Sequence, residues 1–243
     1  MRSIILAAGK GSRMGHLTET KPKCLLIYKN KHIIDWQIHA METNGIKEIG
    51  IITGFQKKLL NKYKYEKIFN KRWKKTNMVY SLMCAKQWLK NKSFLVSYSD
   101  IYYDSNTLKL LFKSKDHITI TYDPKWHSLW KKRFKNPLKD AETFKIDNNS
   151  NLLEIGKKTK NIKNIEGQYM GLLKFTPKGW SKTIETYNLL GKKNREKIHM
   201  TSLLQLIIKK KEIKIKTIPI KQKWFEFDNP SDFNVAEKMN LTK

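Results

Sequence analysis

Residues 4–26 read IILAAGKGSRMGHLTETKPKCLL. The apolar run Ile4-Ile5-Leu6-Ala7-Ala8 has the length and β-branched content of a buried strand, and Gly9 ends it. Glycines at 9 and 11 allow positive φ and close approach to a ligand, and successive amides in such a turn converge on phosphate oxygens. Arg13, Lys21 and Lys23 add fixed positive charge. Spacing excludes two familiar phosphate loops. A Walker loop has four residues between its glycines and a Lys-Ser/Thr pair after the second, which is absent; a dinucleotide fingerprint has a third glycine three residues after the second, and Gly15 arrives one residue late. That fingerprint also opens a helix at once, whereas His16 to Lys23, with Pro22 inside, reads as extended loop. An ordinary strand-to-helix turn explains the glycines but not Arg13 together with Lys23.

Outward from this loop the pattern is regular. Ile33 to Asn44 has apolar residues at 33, 34, 38 and 41 and predicts a helix closed by Gly45. Glu48 to Thr53 reads as a strand, Asn77 to Trp88 as an amphipathic helix, and Ser93 to Ser99 as a strand ending at Asp100. Ser105 to Ser114 reads as helix and His117 to Asp123 as strand. This alternation predicts a three-layer α/β fold, a mostly parallel mixed sheet with helices on both faces. Ligands of such sheets sit beyond the carboxyl ends of the strands, where the glycine loop and Asp100 both fall. The Trp- and Lys-rich stretch from Asp123 to Asp140 interrupts the rhythm. A hairpin over 143–157 turning at Asp147-Asn148-Asn149 follows, then a strand over 168–175, helices near 177–190 and 200–211, and an edge strand over 213–220. Trp224 to Asp228 runs into Asn229-Pro230 and a final helix opened by Ser231. No repeat or Gly/Ser linker divides the chain, so one domain over 1–243 is expected, with a first part near 1–123 and a second near 124–243.

The 243 residues carry a net charge of +29, which invites a nucleic-acid reading. Only five of the 50 basic residues are arginine, the side chain suited to bidentate recognition, and the lysines are spread evenly among abundant Asn and Ile. Compositional drift explains that distribution better than a nucleic-acid surface. Cys24 and Cys84 have no metal, redox or disulfide spacing. With no cleavable signal pattern and no apolar run of membrane-spanning length, a cytoplasmic protein without membrane insertion is expected. The sequence sets no oligomeric state.

The segments LAAGKGSRM and KPKCLL together resemble the signature of the nucleotidyltransferases that make NDP-sugars and CDP-alcohols, with Gly9, Gly11, Ser12, Arg13, Lys23, Leu25 and Leu26 on its pattern. Asp100 at the end of a central strand, Glu166 with Tyr169 and Gly171, and Trp224-x-Glu226-x-Asp228 before a Pro-Ser-Asp helix start extend the likeness over nearly the whole chain. Length and the Asn77 to Leu82 helix start resemble the small bacterial cytidylyltransferases related to phosphocholine cytidylyltransferase. The stretch WHSLWKKRFKNPLKDAETF resembles enzymes that prepare CDP-linked groups for phosphoramidate decoration of capsules, whose acceptor is phosphoglutamine. Ile27-Tyr28 stands where sugar-nucleotide enzymes commonly have Pro-Val, against a hexose-phosphate acceptor.

The resemblance implies a Rossmann-like nucleotidyltransferase fold and a Mg2+-dependent transfer of CMP from CTP to a phosphorylated small acceptor, with release of pyrophosphate. Arg13 and Lys23 become the catalytic cations. Leu6, Ala7, Ala8, Gly9, Gly11, Ser12, Asn77 and Ser81 become the nucleotide-binding set, and Asp100 and Asp228 the metal ligands, with Glu226 as support. Magnesium suits the chemistry because it takes hard oxygen ligands and keeps several waters. The acceptor set is Trp126, Trp130, Arg133, Glu142, Glu166 and Tyr169: an aromatic wall and carboxylate for an ammonium group, and Arg133 for a phosphate or α-carboxylate. Plainer readings stand beside these. Asp100 and Asp228 also suit turn caps, and Trp126 and Trp130, at i and i+4, also suit a core-facing pair. Among other functions, a sugar-1-phosphate uridylyl- or thymidylyltransferase uses the same loop. A glycosyltransferase wants Asp-x-Asp, which Asp100 and Asp104 are too far apart to form. A basic nucleic-acid-binding protein is the reading from another class.

Overall fold

The computed structural model describes residues 1–242. A seven-stranded sheet is built from β1 (Arg2–Ala7), β2 (Glu48–Thr53), β3 (Glu66–Phe69), β4 (Phe94–Tyr98), β5 (Ile118–Asp123), β6 (Gln168–Phe175) and β7 (Ile215–Pro219), in the order β7-β5-β6-β4-β1-β2-β3. β1 runs parallel to both β2 and β4, β2 parallel to β3, and β5 parallel to β7. Only β6 is reversed, antiparallel to β4 and β5. The sheet is thus mostly parallel and mixed, as expected. β1 shows why its sequence is apolar throughout: Ile5 and Ala7 enter the core on one face and Ile4 and Leu6 the core on the other.

Helices cover both faces. The first face carries α1 (Ile33–Thr43), α3 (Asn106–Lys113), α4 (Trp126–Arg133) and α8 (Ser231–Met239). The second carries α2 (Met78–Cys84), α5 (Pro177–Asn188), α7 (Met200–Lys210) and the antiparallel hairpin Glu142–Ile146 with Leu152–Lys158. A short α6 (Lys192–Lys197) precedes α7. Two local signals read in the sequence act as expected: Gly45 takes φ +76° after α1, and Asp147 Oδ1 accepts the Asn149 and Asn151 amides to turn the hairpin. Thr176 Oγ1 accepts the Gly179 amide to start α5.

Two segments differ from expectation. The helix expected over 77–88 stops at Cys84. Beyond it, Trp88 packs against Gly50 of β2 and under the Arg2 guanidinium, so tertiary packing draws the chain onto the start of the sheet. The loop expected to be extended over 16–23 instead contains tight 3₁₀ turns over Ser12–Thr18 and Lys23–Leu25. Buried Thr18 donates its hydroxyl to Gly11 O at 3.0 Å, and Met14 N–H reaches the same oxygen at 3.0 Å, folding the loop onto itself.

After β1 the chain builds β2 and β3 on one side, then crosses to β4 on the other. The crevice at this reversal, beyond the ends of β1 and β4, is where an open α/β sheet binds its ligand.

Candidate active site

The cleft begins at the glycine loop. Gly11 has φ +76°, and a Cβ there would lie 2.8 Å from Lys23 Cβ, so the glycine is required both by conformation and by the lysine stem packed against it. Buried Cys24, Leu25 and Leu26 anchor the following turn in the core. Lys23 therefore points back across the loop, with its side chain only 9 % exposed.

Asp100 sits in the turn between β4 and a short strand, Ile101–Tyr103. That strand pairs antiparallel with Trp224–Glu226, Glu226 opposite Ile101, and Phe227 N–H continues the ladder to Asp100 O at 2.9 Å. This backbone pairing brings acidic residues far apart in sequence to one point. Carboxylate oxygens of Asp100, Glu226 and Asp228 lie within 4.8 Å of one another. Lys23 Nζ stands 2.7 Å from Asp100 Oδ2 and 2.7 Å from Asp228 Oδ1, and Arg13 reaches Asp228 Oδ2 at 2.8 Å.

The electrostatics follow from this crowding. Burial disfavours the Lys23 ammonium, but Asp100 and Asp228 more than offset it, and its pKa is raised from the ordinary 10.5. Glu226 is pushed up, first by desolvation and then by Asp228, against the lowering effect of Arg133. Asp100 Oδ1 is buried and, among the described residues, accepts no hydrogen bond. Three hard-oxygen carboxylates, one with an unsatisfied buried oxygen, fit an oxygen-seeking divalent cation.

Two cavities meet at this point. One, of about 390 Å³, is lined by Leu6, Ala8, Gly9, Gly11 and Ser12 from the loop side, by Asn77, Met78 and Ser81 from α2 and its start, and by Trp73, Thr76 and Asp100. The other, of about 320 Å³, is lined by Trp130, Asp140, Glu142, Lys158, Gln168, Tyr169, His199, Thr201, Glu226 and Asp228. Arg13, Met78 and Tyr98 line both.

Most residues expected in the site are thereby together, and four are not. Ala7 faces the opposite core, since the strand alternation that aims Leu6 and Ala8 at the cleft aims Ala7 away. Trp126, the first residue of α4, is buried with its indole N–H on Ile165 O at 3.1 Å; the core-facing reading holds for it, while Trp130 reaches the cavity wall. The Arg133 side chain is fully buried in ion pairs with Glu226 and Asp232, so it offers no guanidinium to an acceptor. Glu166 lies on the exterior, accepting the Ile146 amide at 2.8 Å. Asn77 lines the cavity with its side-chain amide donated to Lys197 O, and Ser81 Oγ accepts from Asn70 at 3.0 Å.

Sequence reasoning missed Trp73 and Thr76 in the first cavity, and Lys158, Gln168, His199 and Thr201 among the second's lining residues. For Gln168 a signal existed: it opens the strand next to Tyr169. Lys158, one lysine among many, gave none.

The chain is 41% identical over 97% of its length, and 98% of the other's, to a CTP:phosphoglutamine cytidylyltransferase of Campylobacter jejuni subsp. jejuni serotype O:2. It is 39% identical over 37% of its length, and 42% of the other's, to a choline-phosphate cytidylyltransferase of Streptococcus pneumoniae. Among solved structures, the inositol-1-phosphate CTP transferase of T. maritima superposes with a TM-score of 0.75 at 19% identity, covering 99% of this chain and 96% of that one. The CTP:phosphocholine cytidylyltransferase of Streptococcus pneumoniae superposes with a TM-score of 0.74 at 22% identity, covering 98% of each chain. The model of the MobA-like NTP transferase domain matches residues 3–150, the stretch that holds the glycine loop, Lys23 and Asp100. With that match and a near full-length relative at 41% identity, the chain belongs to the MobA-like NTP transferase family, a family of nucleotidyltransferases.

Proposed function

We propose that the protein is a Mg2+-dependent cytidylyltransferase that moves CMP from CTP to a phosphorylated small acceptor, phosphoglutamine, phosphocholine or a similar compound, for decoration of a surface polysaccharide. The observation that carries this reading is the meeting of Lys23, Arg13 and three carboxylates at the seam between two cavities. The near full-length likeness to a protein named CTP:phosphoglutamine cytidylyltransferase supports the choice of nucleotide and acceptor.

The first cavity takes the nucleotide. The open backbone at Gly9 admits the triphosphate, and Arg13, its side chain 64 % exposed, is free to turn from Asp228 to the β- and γ-phosphates. The polar rim of Thr76, Asn77 and Ser81 faces the base. The second cavity takes the acceptor. Glu142 lines it with no ion-pair partner among the described residues, suiting an ammonium group, while Lys158 and His199 line it as candidate partners for a carboxylate.

An acceptor phosphate oxygen attacks the α-phosphorus, the bond to the bridging oxygen breaks, and pyrophosphate leaves. Both reactants are anions, so charge must be neutralised along this path. Asp100, Glu226 and Asp228 would hold Mg2+, which when bound supplies positive charge to the phosphates. Lys23, released from its carboxylates, places an ammonium against the charge that develops around the α-phosphorus. The reading also puts the protein in the cytoplasm, where CTP is made; among the described residues no helix is long and apolar enough to cross a membrane.

The test is a pyrophosphate-release screen of CTP, UTP, ATP and GTP against phosphorylated small acceptors, with titration calorimetry of each triphosphate and Asp228→Asn as the inactive control. CTP with a phosphorylated amino acid or amino alcohol is the expected pair. Tighter binding of UTP would move the assignment to sugar-nucleotide synthesis, and turnover by Asp228→Asn near the parent rate would remove the cation site.

A further inference from the structure

We propose that Arg133 is a positioning residue for the cation site: from α4 it fixes Glu226 directly and, through Asp232, the backbone that presents Asp228. The inference rests on reading Asp100, Glu226 and Asp228 as that site.

The arrangement is a relay of short contacts. Arg133 Nε and Nη2 grip the two oxygens of Asp232 at 3.0 and 3.1 Å, a bidentate pair, and Nη1 donates to Glu226 Oε2 at 3.2 Å. Asp232 Oδ2 then accepts the backbone N–H of Asp228 at 2.7 Å and of Asn229 at 2.8 Å. One guanidinium therefore sets the side chain of one candidate ligand and the main chain of another. The Arg133 side chain is fully buried and the Asp232 side chain is 1 % exposed, so water cannot substitute for either partner. The rings of Trp130, Phe134 and Phe225 surround the guanidinium at 5.1, 5.0 and 5.5 Å and leave it one orientation.

A lysine could supply the charge but not the fork, which is why the substitution separates positioning from plain charge balance. Trp130 connects the relay to the second cavity, because its ring contacts Arg133 while its edge lines the wall where the acceptor is proposed to sit. Helix α4 thus links the acceptor wall to the carboxylates.

The experiment measures Mn2+ binding to the full chain by calorimetry without nucleotide, alongside kcat, KM and the Mg2+ dependence of turnover. Arg133→Lys is expected to fold, to bind Mn2+ on the order of 10- to 100-fold more weakly, and to need correspondingly more Mg2+ for half-maximal rate. KM for CTP at saturating Mg2+ should change far less than kcat at low Mg2+. Lys132→Ala, an exposed neighbour on the same helix, should match the parent. If Arg133→Lys does not fold, Asp232→Asn decides: it keeps an acceptor oxygen for the two amides but loses the ion pair, and the same loss of Mn2+ affinity is expected. Parent-like Mn2+ affinity in a folded Arg133→Lys, or in Asp232→Asn where Arg133→Lys is unfolded, overturns the proposal. Mn2+ binding that Asp228→Asn leaves intact overturns the cation site itself, and this proposal with it.

Discussion

Lys23 satisfies two carboxylates at once, and this double pairing makes its removal a two-part experiment. Lys23→Ala should lower kcat on the order of 10²-fold or more, the scale of a lost donor to developing oxyanion charge. Exposed lysines give the contrast: Lys58→Ala, Lys109→Ala and Lys192→Ala should stay within a few-fold, because solvated charges are screened beyond about 10 Å. The same variant leaves Asp100 without its cation and Asp228 with Arg13 alone. Removing one partner of a buried pair costs about 3–5 kcal/mol, an upper bound here since the Asp100 side chain is 20 % exposed. Thermal melts without Mg2+ should show the deficit, and Mg2+ should restore much of it. The Lys23 pKa is raised in the fold, so its contribution is fully present below the ordinary 10.5 and lost only as pH climbs through the higher folded value. Melts at pH 7 and pH 9 should show a deficit that grows with pH, because Glu226, pushed up to about 8 and held down in part by Lys23, ionises across that interval and loses that partner in the variant. A deficit that shrinks between those values would place the stabilisation on some other group.

At the scale of elements, Gln37 shows how a helix on one face tunes the cleft. Its amide, 1 % exposed within α1, donates to Tyr98 O at 2.8 Å and Ile101 O at 2.6 Å, the two carbonyls flanking the Asp100 turn. Gln37→Leu keeps the volume but removes both donors, and should cost about 1–3 kcal/mol. It should lower kcat more than it raises KM for CTP, and an unchanged kcat would show that the turn holds its own shape. Such residues mark the limit of what the sequence reveals. β2, β6, α1 and the hairpin were legible because period and punctuation are local. Lys23, Asp100 and Asp228 were legible because strand ends and a family signature point to them. Gln37 and Asp232 were not, and Arg133 was read as an acceptor ligand, because nothing within a few residues of each shows what lies across the fold. Trp126 carried a local pattern that fitted both core and ligand wall, and only its burial decides. The turns over 12–18 were hidden for a related reason: they depend on the hydroxyl of Thr18 reaching Gly11 O across the loop.

At the scale of the molecule, the charge of +29 is spread over a chain with only five arginines, and it belongs to the surface more than to the site. Duplex DNA added at 150 mM salt should leave turnover unchanged, since diffuse lysine contacts weaken steeply as counterions are restored. Inhibition that persists there would assign the basic surface a nucleic-acid role. The pairing of Lys23 with Asp228 spans 205 residues of chain. A ribosome adds about 5–20 residues per second, so a nascent Lys23 waits on the order of 10–40 s for that partner to be made. The glycine loop and its strands can form during this interval, yet the charge cluster closes only once residue 228 has emerged. A polypeptide released early would carry a recognisable nucleotide fold with its lysine paired to Asp100 alone. Chemical competence therefore arrives near the end of synthesis, as a single late event.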